Sequence, residues 1–382
     1  MRVDQYLPSY WSHDAIGNHV RQVGRALRVS GIDSDIHAAA VDRRLEREVE
    51  LWRPVPGERR PDRLILYHLS VDSDMSDWLV EEAKAGQRVL VYYHNITPAP
   101  FFEGWLPEVG GGLARARRQM AALAPFVELA LAPSHHSLAE LEEAGYRATA
   151  FCPILVDLDE YYEPADPAVL QDLRRRREGG GADWLFVGRL SPNKCQQDVI
   201  AAFAVYRRLF DRRARLTLVG GATVPAYREA LVGQAEELEV AGAVTFRDGV
   251  TSRELLARYH SADVFVCLSE HEGFGVPLVE AMTVGLPIVA YAAAAVPETV
   301  GAAGVLLDDK DPVRVACAVA ELLGDPARRR ELAAAGQQRA EAFDLDRTSA
   351  QLIDLLRPVL ETPRSRRKRP VAAPAASPNG AG

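Results

Sequence analysis

Short apolar segments alternate with amphipathic helical segments along almost the whole chain of 382 residues. The strand-like segments are rich in Val, Ile, Leu and Tyr, as in "RLILYHL" and "RVLVYY". A first series holds four of them, beginning at residue 62, and a second series holds five, ending at residue 291. Strands that alternate with helices pair in parallel, because the helix provides the crossover that a parallel connection needs. The pattern therefore predicts an α/β fold built on parallel sheets.

The alternation stalls once, in the acidic and proline-containing stretch 157–166, and then starts again. Two series joined by a connector predict two domains, at 1–157 and 166–344. An amphipathic helix is predicted at 345–361, and residues 362–382 have the basic, proline-containing composition of a disordered tail. Ligands of parallel sheets bind beyond the carboxyl ends of the strands, so functional residues are expected in the loops that follow them.

Composition narrows the class of protein. The net charge of −8 argues against general binding of nucleic acid, which needs a basic face. The four cysteines, Cys152, Cys195, Cys267 and Cys317, form no C-x-x-C pair and indicate neither a disulfide framework nor a zinc site. The chain has no run of about 18 apolar residues, and its first residues, "MRVDQYLPSYWSHD", lack the apolar region of a signal peptide. We therefore expect a cytoplasmic protein, with peripheral contact at the inner face of the membrane left open.

Several enzyme motifs are missing. The chain has no G-x-x-x-x-G-K-[ST], no G-x-G-x-x-G and no G-x-S-x-G, and "HEGFG" has glycine where a zinc protease has its second histidine. The D-x-D pairs at Asp33–Asp35 and Asp72–Asp74 do not follow a suitable strand end. These absences weigh against a P-loop ATPase, a dinucleotide oxidoreductase, a serine hydrolase and a metalloenzyme, and we expect no metal site.

Two glutamates lie eight positions apart around a Gly-Phe-Gly-Val-Pro turn in "EGFGVPLVE". The turn follows the strand-like "DVFVCLS", its glycines let the backbone fold tightly, and its proline suits the first turn of a helix. The free N–H groups of Phe274, Gly275 and Val276 then form an anion site suited to a diphosphate. Glu280, one turn inside the helix, is placed to accept hydrogen bonds from ribose hydroxyls, and Glu272 lies on the loop. The alternative is that Glu280 only complements the helix dipole and that Glu272 is solvated.

A second loop between a strand and a helix carries two cations. In "DWLFVGRLSPNK" the strand and a glycine are followed by Arg189 and Lys194. An arginine binds a pyrophosphate through its planar fork and a lysine binds it as a point charge, so the two suit a nucleotide diphosphate. The alternative is a solvated loop with ordinary surface charges.

These segments resemble the family-4 retaining glycosyltransferases of the GT-B fold. "EGFGVPLVE" is similar to their E-x7-E signature, and "VGRLSPNK" is similar to their phosphate-binding G-R-L-x-x-x-K segment. "AVPETVGAAGVLL", "FRDGVTSRELLARYHSADVFV" and "IGNHVRQVGRAL" also resemble that family. The likeness covers about residues 10–360 and is more specific in the C-terminal half. Where many members have glycines, this chain reads "AIG" at 15–17 and "AAAA" at 292–295.

The resemblance implies two Rossmann-like domains that face each other across a cleft, with the N-terminal domain binding the acceptor and the C-terminal domain binding the nucleotide sugar. It also implies that helix 345–361 packs back on the first domain. By position, Arg189 and Lys194 would neutralise the diphosphate and Glu280 would hold the ribose. Val250 would touch the base through its backbone, and Gly17, in the first N-terminal loop, would let the backbone approach the phosphates.

The catalytic residues that the resemblance implies are Glu272 and His94, both in contact with the transferred sugar. The sequence thus predicts a retaining hexosyltransferase of the mannose or glucose type, with a GDP- or UDP-sugar donor and no metal or separate cofactor. The acceptor would be a hydroxyl of a glycan, glycolipid or polysaccharide intermediate. Two alternatives stay open. A nucleotide-sugar 2-epimerase is disfavoured by the complete E-x7-E element, and the alanine run at 292–295 keeps open a non-catalytic nucleotide-sugar-binding partner.

Overall fold

The computed structural model describes residues 1–11, 14–54 and 63–362. Within these ranges the chain forms two parallel β-sheets, one of seven strands and one of six. Helices connect most of the consecutive strands in both sheets. The predicted α/β fold of two Rossmann-like parallel-sheet domains is therefore confirmed.

The first sheet belongs to the N-terminal domain. Its strands are β1 (Arg2–Tyr10), β2 (Ile36–Val41), β3 (Glu50–Leu51), β4 (Arg63–Leu69), β5 (Arg88–Tyr93), β6 (Val127–Ala132) and β7 (Thr149–Phe151). The helices around it are α1 (Ala15–Val29), α2 (Asp74–Lys84), α3 (Pro100–Glu103), α4 (Pro107–Leu123) and α5 (His135–Glu143). Across the sheet the strands follow the order β3-β2-β1-β4-β5-β6-β7, so the winding direction reverses between β1 and β4.

The second sheet belongs to the C-terminal domain, which begins with α6 (Pro167–Glu178). Its strands are β8 (Asp183–Val187), β9 (Arg215–Val219), β10 (Val244–Arg247), β11 (Val264–Cys267), β12 (Ile288–Tyr291) and β13 (Gly304–Leu307). The helices around it are α7 (Gln196–Leu209), α8 (Pro225–Glu237), α9 (Ser252–Ser261), α10 (Val276–Thr283), α11 (Val296–Val300), α12 (Pro312–Gly324) and α13 (Pro326–Ala340). The strand order is β10-β9-β8-β11-β12-β13, and the reversal lies between β8 and β11.

The two reversals locate the functional loops. Where the strand order of an open parallel sheet reverses, the loops after the two neighbouring strands run in opposite directions. They open a crevice at the carboxyl edge of the sheet. In the C-terminal domain these are the loops after β8 and β11, which carry Arg189, Lys194 and Glu272. In the N-terminal domain the corresponding edge lies beyond β1 and β4, next to the end of β5 and His94.

β1 lies in the middle of the first sheet, although the apolar pattern does not predict it. It carries Asp4 and Gln5, both fully buried, which interrupt the apolar run. Asp4 forms ion pairs with Arg2 at 2.9 Å and with Arg63 at 3.0 Å. A buried carboxylate is tolerated only when such partners are in place, so tertiary pairing determines this strand. The sequence pattern also does not predict β2, β3 and β13.

The last helix, α14 (Leu345–Glu361), lies against the N-terminal domain. Arg88 donates a hydrogen bond to the carbonyl oxygen of Val359 at 2.6 Å. The side chain of Gln351 donates one to the carbonyl oxygen of Phe151 at 2.9 Å. The apolar face of the helix is buried, with Leu352 fully covered. These contacts join the end of the chain to the first sheet.

Apart from Thr362, the tail predicted at 362–382 lies outside the described residues. Among the helices of the described part of the chain, none has the length and the apolar character that crossing a bilayer requires.

Candidate active site

The loops that leave β8 and β11 pack against each other at the carboxyl edge of the second sheet. The side chain of Asn193 donates a hydrogen bond to the carbonyl oxygen of His271 at 3.2 Å. The backbone N–H of Glu270 donates one to the carbonyl oxygen of Asn193 at 3.0 Å. This contact brings Lys194 to Glu272, and the two form a partly buried ion pair. One residue from each sequence motif therefore lies at the same point of the cleft edge.

Glycines shape both loops. Gly275 immediately precedes α10 with a φ of 90°, and a Cβ there would lie 2.7 Å from Cδ1 of Leu278. Gly188 follows β8 with a φ of 149°, a conformation that L side chains rarely adopt. A Cβ on Gly220 would lie 2.1 Å from the carbonyl oxygen of Gly188, so the neighbouring loop must also carry a glycine. The backbone can therefore turn sharply into α10 and after β8.

Arg189 and Lys194 differ in how they are held. Arg189 is exposed, and no carboxylate of the described residues pairs with its guanidinium. The side chain of Gln196 donates to the carbonyl oxygen of Arg189 at 2.9 Å and fixes the loop backbone. Lys194 is already paired with Glu272. An incoming anion therefore meets one free cation and one cation that shares its charge with a carboxylate.

Glu280 lies one turn into α10 and is held by two tyrosines. The hydroxyl of Tyr259 donates to Oε2 of Glu280 at 2.6 Å, and Tyr161 of the connector also hydrogen-bonds the carboxylate. Burial raises the pKa of the Glu280 carboxyl, and the two tyrosine hydrogen bonds oppose that rise. A carboxylate has about four acceptor positions, so two tyrosines leave further acceptor positions on Glu280.

The other predicted donor residues occupy distinct places. The side chain of Phe274 packs against Phe343, with ring centroids 5.1 Å apart, so only its backbone can face an anion. Val250 lies in the loop between β10 and α9 and is half-buried. Gly17 lies in the first turn of α1 and not in the loop before it. A Cβ on Gly17 would lie 2.9 Å from the carbonyl oxygen of Trp11, so glycine is needed there for packing.

The N-terminal domain touches the Glu272 loop directly. Asn95, with a φ of 71°, hydrogen-bonds the ring of His271 through its side chain. The hydroxyl of Ser134 donates to the carbonyl oxygen of Gly273 at 2.8 Å. A Cβ on Gly273 would lie 2.5 Å from Cβ of Asn95, so the two backbones approach as closely as glycine allows. Since His94 and Glu272 each adjoin a residue in this contact, the structure brings both to one end of the cleft.

His94 belongs to a group of three buried or half-buried histidines. Nε2 of His94 lies 2.9 Å from Nδ1 of His68, whose Nε2 lies 3.0 Å from Oε1 of Gln5. The third member is His19 on α1, whose Nδ1 accepts the backbone N–H of Leu155 at 2.9 Å. Burial lowers the pKa of all three imidazoles, that of His68 to about 3. All three rings are therefore neutral near pH 7.

Two groups in the described part of the chain have the spacing of metal ligands: the three histidines, and Cys195 with Asp198 and Glu270. In the second group the amino group of Lys310 pairs with both carboxylates and supplies the positive charge itself. Burial opposes the charge on Lys310, but these hydrogen bonds outweigh it and raise its pKa. In the first group the lone pair on Nδ1 of His19 already accepts a backbone N–H. Neither donor set is prepared for a metal.

Sequence reasoning missed several residues of this region. Asn95 and His271 join the domains, Tyr161 and Tyr259 hold Glu280, and Lys310 bridges two carboxylates. Asn95 follows His94 and His271 precedes Glu272, both of which the sequence singles out. These neighbours are the signal by which Asn95 and His271 could have been found. No local pattern marks the two tyrosines or Lys310, because their partners are distant in sequence.

Comparison with known proteins gives the same assignment for the C-terminal domain. Residues 172–339 match the family model of group 1 glycosyl transferases. A GDP-mannose-dependent alpha-(1-6)-phosphatidylinositol monomannoside mannosyltransferase of Mycobacterium tuberculosis is 37% identical over 218 residues, which are 54% of this chain and 55% of that protein. A D-inositol 3-phosphate glycosyltransferase of Frankia alni is 35% identical over 201 residues, 51% of this chain and 49% of that protein. The chain thus spans about half the length of the curated relatives it matches.

Solved structures match over almost the whole chain. Anabaena HepE in complex with UDP superposes with a TM-score of 0.75 at 21% identity, covering 94% of this chain and 100% of that one. Sucrose-phosphate synthase from Thermosynechococcus elongatus superposes with a TM-score of 0.73 at 21% identity, covering 94% and 98%. At this identity the likeness establishes the fold alone. The chain has the GT-B fold and resembles the family-4 glycosyltransferases, and its residues 172–339 match the model of the group 1 glycosyl transferases.

Proposed function

We propose that this chain is a retaining hexosyltransferase that moves a mannose or glucose type of sugar from a GDP- or UDP-sugar to an acceptor hydroxyl of a glycan, glycolipid or polysaccharide intermediate. The observation that carries the proposal is the meeting of the two loops after β8 and β11. There Lys194 pairs with Glu272 beside the start of α10, with the exposed Arg189 on the same loop as Lys194. His94 lies on the neighbouring end of the N-terminal domain, next to the Asn95–His271 contact.

The proposed reaction depends on stabilising the leaving diphosphate. The bond between the anomeric carbon and the phosphate oxygen breaks, and negative charge develops on the diphosphate. Arg189, Lys194 and the N–H groups at the start of α10 are fixed positive groups that stabilise this charge. The acceptor oxygen forms its bond to the anomeric carbon on the same face, and its proton passes to a departing phosphate oxygen. The anomeric configuration is thereby retained without a covalent enzyme intermediate.

The remaining residues bind the parts of the donor that do not react. Glu280 accepts hydrogen bonds from the ribose, and the backbone at Val250 contacts the base. The named relatives support either donor class, since one is a GDP-mannose-dependent enzyme and HepE has been solved with UDP-glucose. The mannosyltransferase and the inositol 3-phosphate glycosyltransferase also support a lipid-linked or polyol-containing acceptor. The N-terminal domain would bind that acceptor.

The alanine run at 292–295 is compatible with an active enzyme. Ala294 adopts a φ of 50°, the left-handed conformation that glycine takes most easily. An alanine there carries a penalty of about 1–2 kcal/mol, which the surrounding structure offsets. The following N–H, of Ala295, donates to the carbonyl oxygen of Glu272 at 3.2 Å. The run therefore supports the Glu272 loop, and this weighs against a silent nucleotide-sugar binder.

A thermal-shift screen against UDP, GDP, ADP and their sugars tests the proposal, followed by transfer assays with the best donor. A donor present at 100 times its Kd is expected to stabilise the protein by about 2.7 kcal/mol. Release of nucleoside diphosphate that requires an acceptor, with an α-linked product from an α-linked donor, supports a retaining transferase. Isomerised sugar without acceptor identifies an epimerase, and binding without any turnover identifies a silent binder.

Transfer is expected to persist in excess EDTA, because Arg189, Lys194 and the start of α10 supply the positive charge that a divalent ion would otherwise bring. The rate should be measured after extensive chelation and again after adding Mg²⁺ or Mn²⁺. Activity that disappears on chelation and returns only with the metal contradicts this expectation.

A further inference from the structure

Hydrogen bonds fix the protonation of a row of side chains that leads to His94. The amide nitrogen of Gln5 donates to Oγ of Ser34 at 3.3 Å, which turns Oε1 of Gln5 toward His68. An amide oxygen only accepts, so Nε2 of His68 must carry the proton of that ring. Nδ1 of the neutral His68 is then a bare lone pair and accepts from Nε2 of His94. His94 in turn carries its proton on Nε2 and presents an unprotonated Nδ1.

His19 has the same tautomer, but its unpartnered nitrogen is the one that carries the proton. Its Nδ1 accepts the backbone N–H of Leu155, so the proton of the neutral ring lies on Nε2. The ring centroids of His19 and His94 are 5.1 Å apart, with the rings nearly perpendicular. Nε2 of His19 and Nδ1 of His94 are both buried and have no hydrogen-bond partner among the described residues.

Two unsatisfied buried groups of opposite kind therefore lie on neighbouring rings, one a donor and one an acceptor. A buried polar group without a partner is costly and points to a missing ligand or water. A hydroxyl is the simplest group that satisfies both, because it donates one hydrogen bond and accepts another. Two neutral imidazoles with fixed tautomers thus match an uncharged alcohol better than an anion, which would leave the lone pair of His94 unpaired.

We propose that His19 and His94 together bind one hydroxyl of the transferred sugar, and that Gln5 and His68 are positioning residues that hold His94 in the accepting tautomer. The hydroxyl donates to Nδ1 of His94 and accepts from Nε2–H of His19. This inference rests on the proposed transferase function and adds three residues to it: His19, His68 and Gln5.

The environment keeps this arrangement neutral. The titratable groups that face the pair of His68 and His94 are His19 from α1 and Tyr92 from β5. Burial raises the pKa of the Tyr92 hydroxyl, which donates to the carbonyl oxygen of Cys152 at 2.7 Å. Burial also raises the pKa of the Cys152 thiol, to about 12. Each of these shifts moves a pKa away from neutral pH, so none of these groups changes its protonation near pH 7.

The tautomers can be measured in the free protein by NMR of the chain labelled with ¹⁵N-histidine. We expect His19, His68 and His94 each to be neutral and protonated on Nε2, with resonances assigned from single histidine variants. Protonation of His94 on Nδ1, or a charged ring in the group at pH 7, overturns the proposal. Gln119 provides a matched control, because it is a buried glutamine of the same domain that bonds the backbone of Ser73. Gln119→Leu should leave the histidine pattern unchanged, whereas Gln5→Leu should alter it.

Gln5→Glu gives a readout that a purely structural role would not produce. A carboxylate at Nε2–H of His68 favours the imidazolium and raises its pKa toward the neutral range. A charged His68 donates from both nitrogens, so His94 must accept through Nε2 and move its proton to Nδ1. The variant should therefore lose kcat/KM as the pH falls through that raised pKa, while the wild-type protein has no such acid limb. If kcat/KM of the variant depends on pH in the same way as that of the wild-type protein, Gln5 and His68 do not set the tautomer of His94.

Donors that lack one hydroxyl test the binding step. With the nucleotide sugar that supports turnover, one monodeoxy analogue should lose about tenfold to hundredfold in kcat/KM, the range for a hydrogen-bonding group left without its partner. His19→Phe should remove that discrimination at the same position and at no other. Discrimination that survives in His19→Phe overturns the assignment. The NMR experiment measures the histidine tautomers without a sugar donor. If the tautomers are as expected but the protein has no transfer activity, the proposed function is wrong, while the assignment of the tautomers stands.

Discussion

Replacing Glu272 with glutamine is expected to lower kcat by about 10²-fold or more, the loss that follows removal of one fixed electrostatic contact. Its carboxylate lies beside the transferred sugar in our proposal and stabilises the positive charge that builds at the anomeric carbon. Binding of the free nucleoside diphosphate should not weaken. Because Glu272 holds Lys194 in an ion pair, its neutralisation releases the lysine for the diphosphate, and affinity should stay the same or rise. Steady-state kinetics and calorimetry measure the two effects separately.

Glu128 provides the matched control for this experiment. It is also a partly buried glutamate in an ion pair, with Arg88 at 2.8 Å, but it lies at the start of β6, the edge of the sheet away from the cleft. Glu128→Gln removes the same charge, keeps the side-chain volume and should leave kcat unchanged. Glu280→Gln should mainly raise the donor KM, because ribose contacts are equal in the ground and transition states. If Glu272→Gln keeps a normal kcat while Glu280→Gln abolishes it, the two roles are reversed.

The apolar pattern predicts those strands whose buried side chains are apolar and need no ion-pair or hydrogen-bond partner. β4 and β5 read as nearly continuous Leu, Ile, Val and Tyr, and their side chains are buried on both faces of a parallel sheet. β1 lies between β2 and β4, yet its Asp4 and Gln5 read as surface residues. Its place in the sheet depends on charges from other elements, and no window of sequence contains that information.

The same distinction applies to the candidate site. Local sequence is sufficient to single out Arg189, Lys194 and Glu272. They lie in loops whose glycines and proline indicate a sharp turn at the end of a strand. The contact between Asn95 and His271 joins residues 176 positions apart. The tautomer of His94 depends on His68, 26 positions away, and on Gln5, a further 63 positions from His68. Such partners become visible only when the fold has brought the strand ends together.

Lys194→Met is expected to weaken binding of the nucleoside diphosphate by about 2–5 kcal/mol, the range for truncating one partner of a desolvated charge pair. Two effects contribute to the loss. The phosphate loses a cation, and Glu272 is left without its partner at the place where the phosphate charge arrives. Since like charges repel, Lys194→Met with Glu272→Gln should recover part of the affinity lost in Lys194→Met alone. Calorimetry on the two single variants and the double variant measures this coupling directly.

Arg189→Met is expected to weaken diphosphate binding by less than Lys194→Met does, and with a different dependence on salt. Arg189 is exposed and has no described carboxylate to release, so its attraction for the diphosphate is screened as ionic strength rises. The half-buried Lys194 is screened less, and the gap between the two variants should widen with salt. Arg208, an exposed arginine in the last turn of α7, is the control, and Arg208→Met should bind normally. Unchanged diphosphate affinity in both Arg189→Met and Lys194→Met would show that the loop after β8 is an ordinary charged surface, and the donor site would have to lie elsewhere in the cleft.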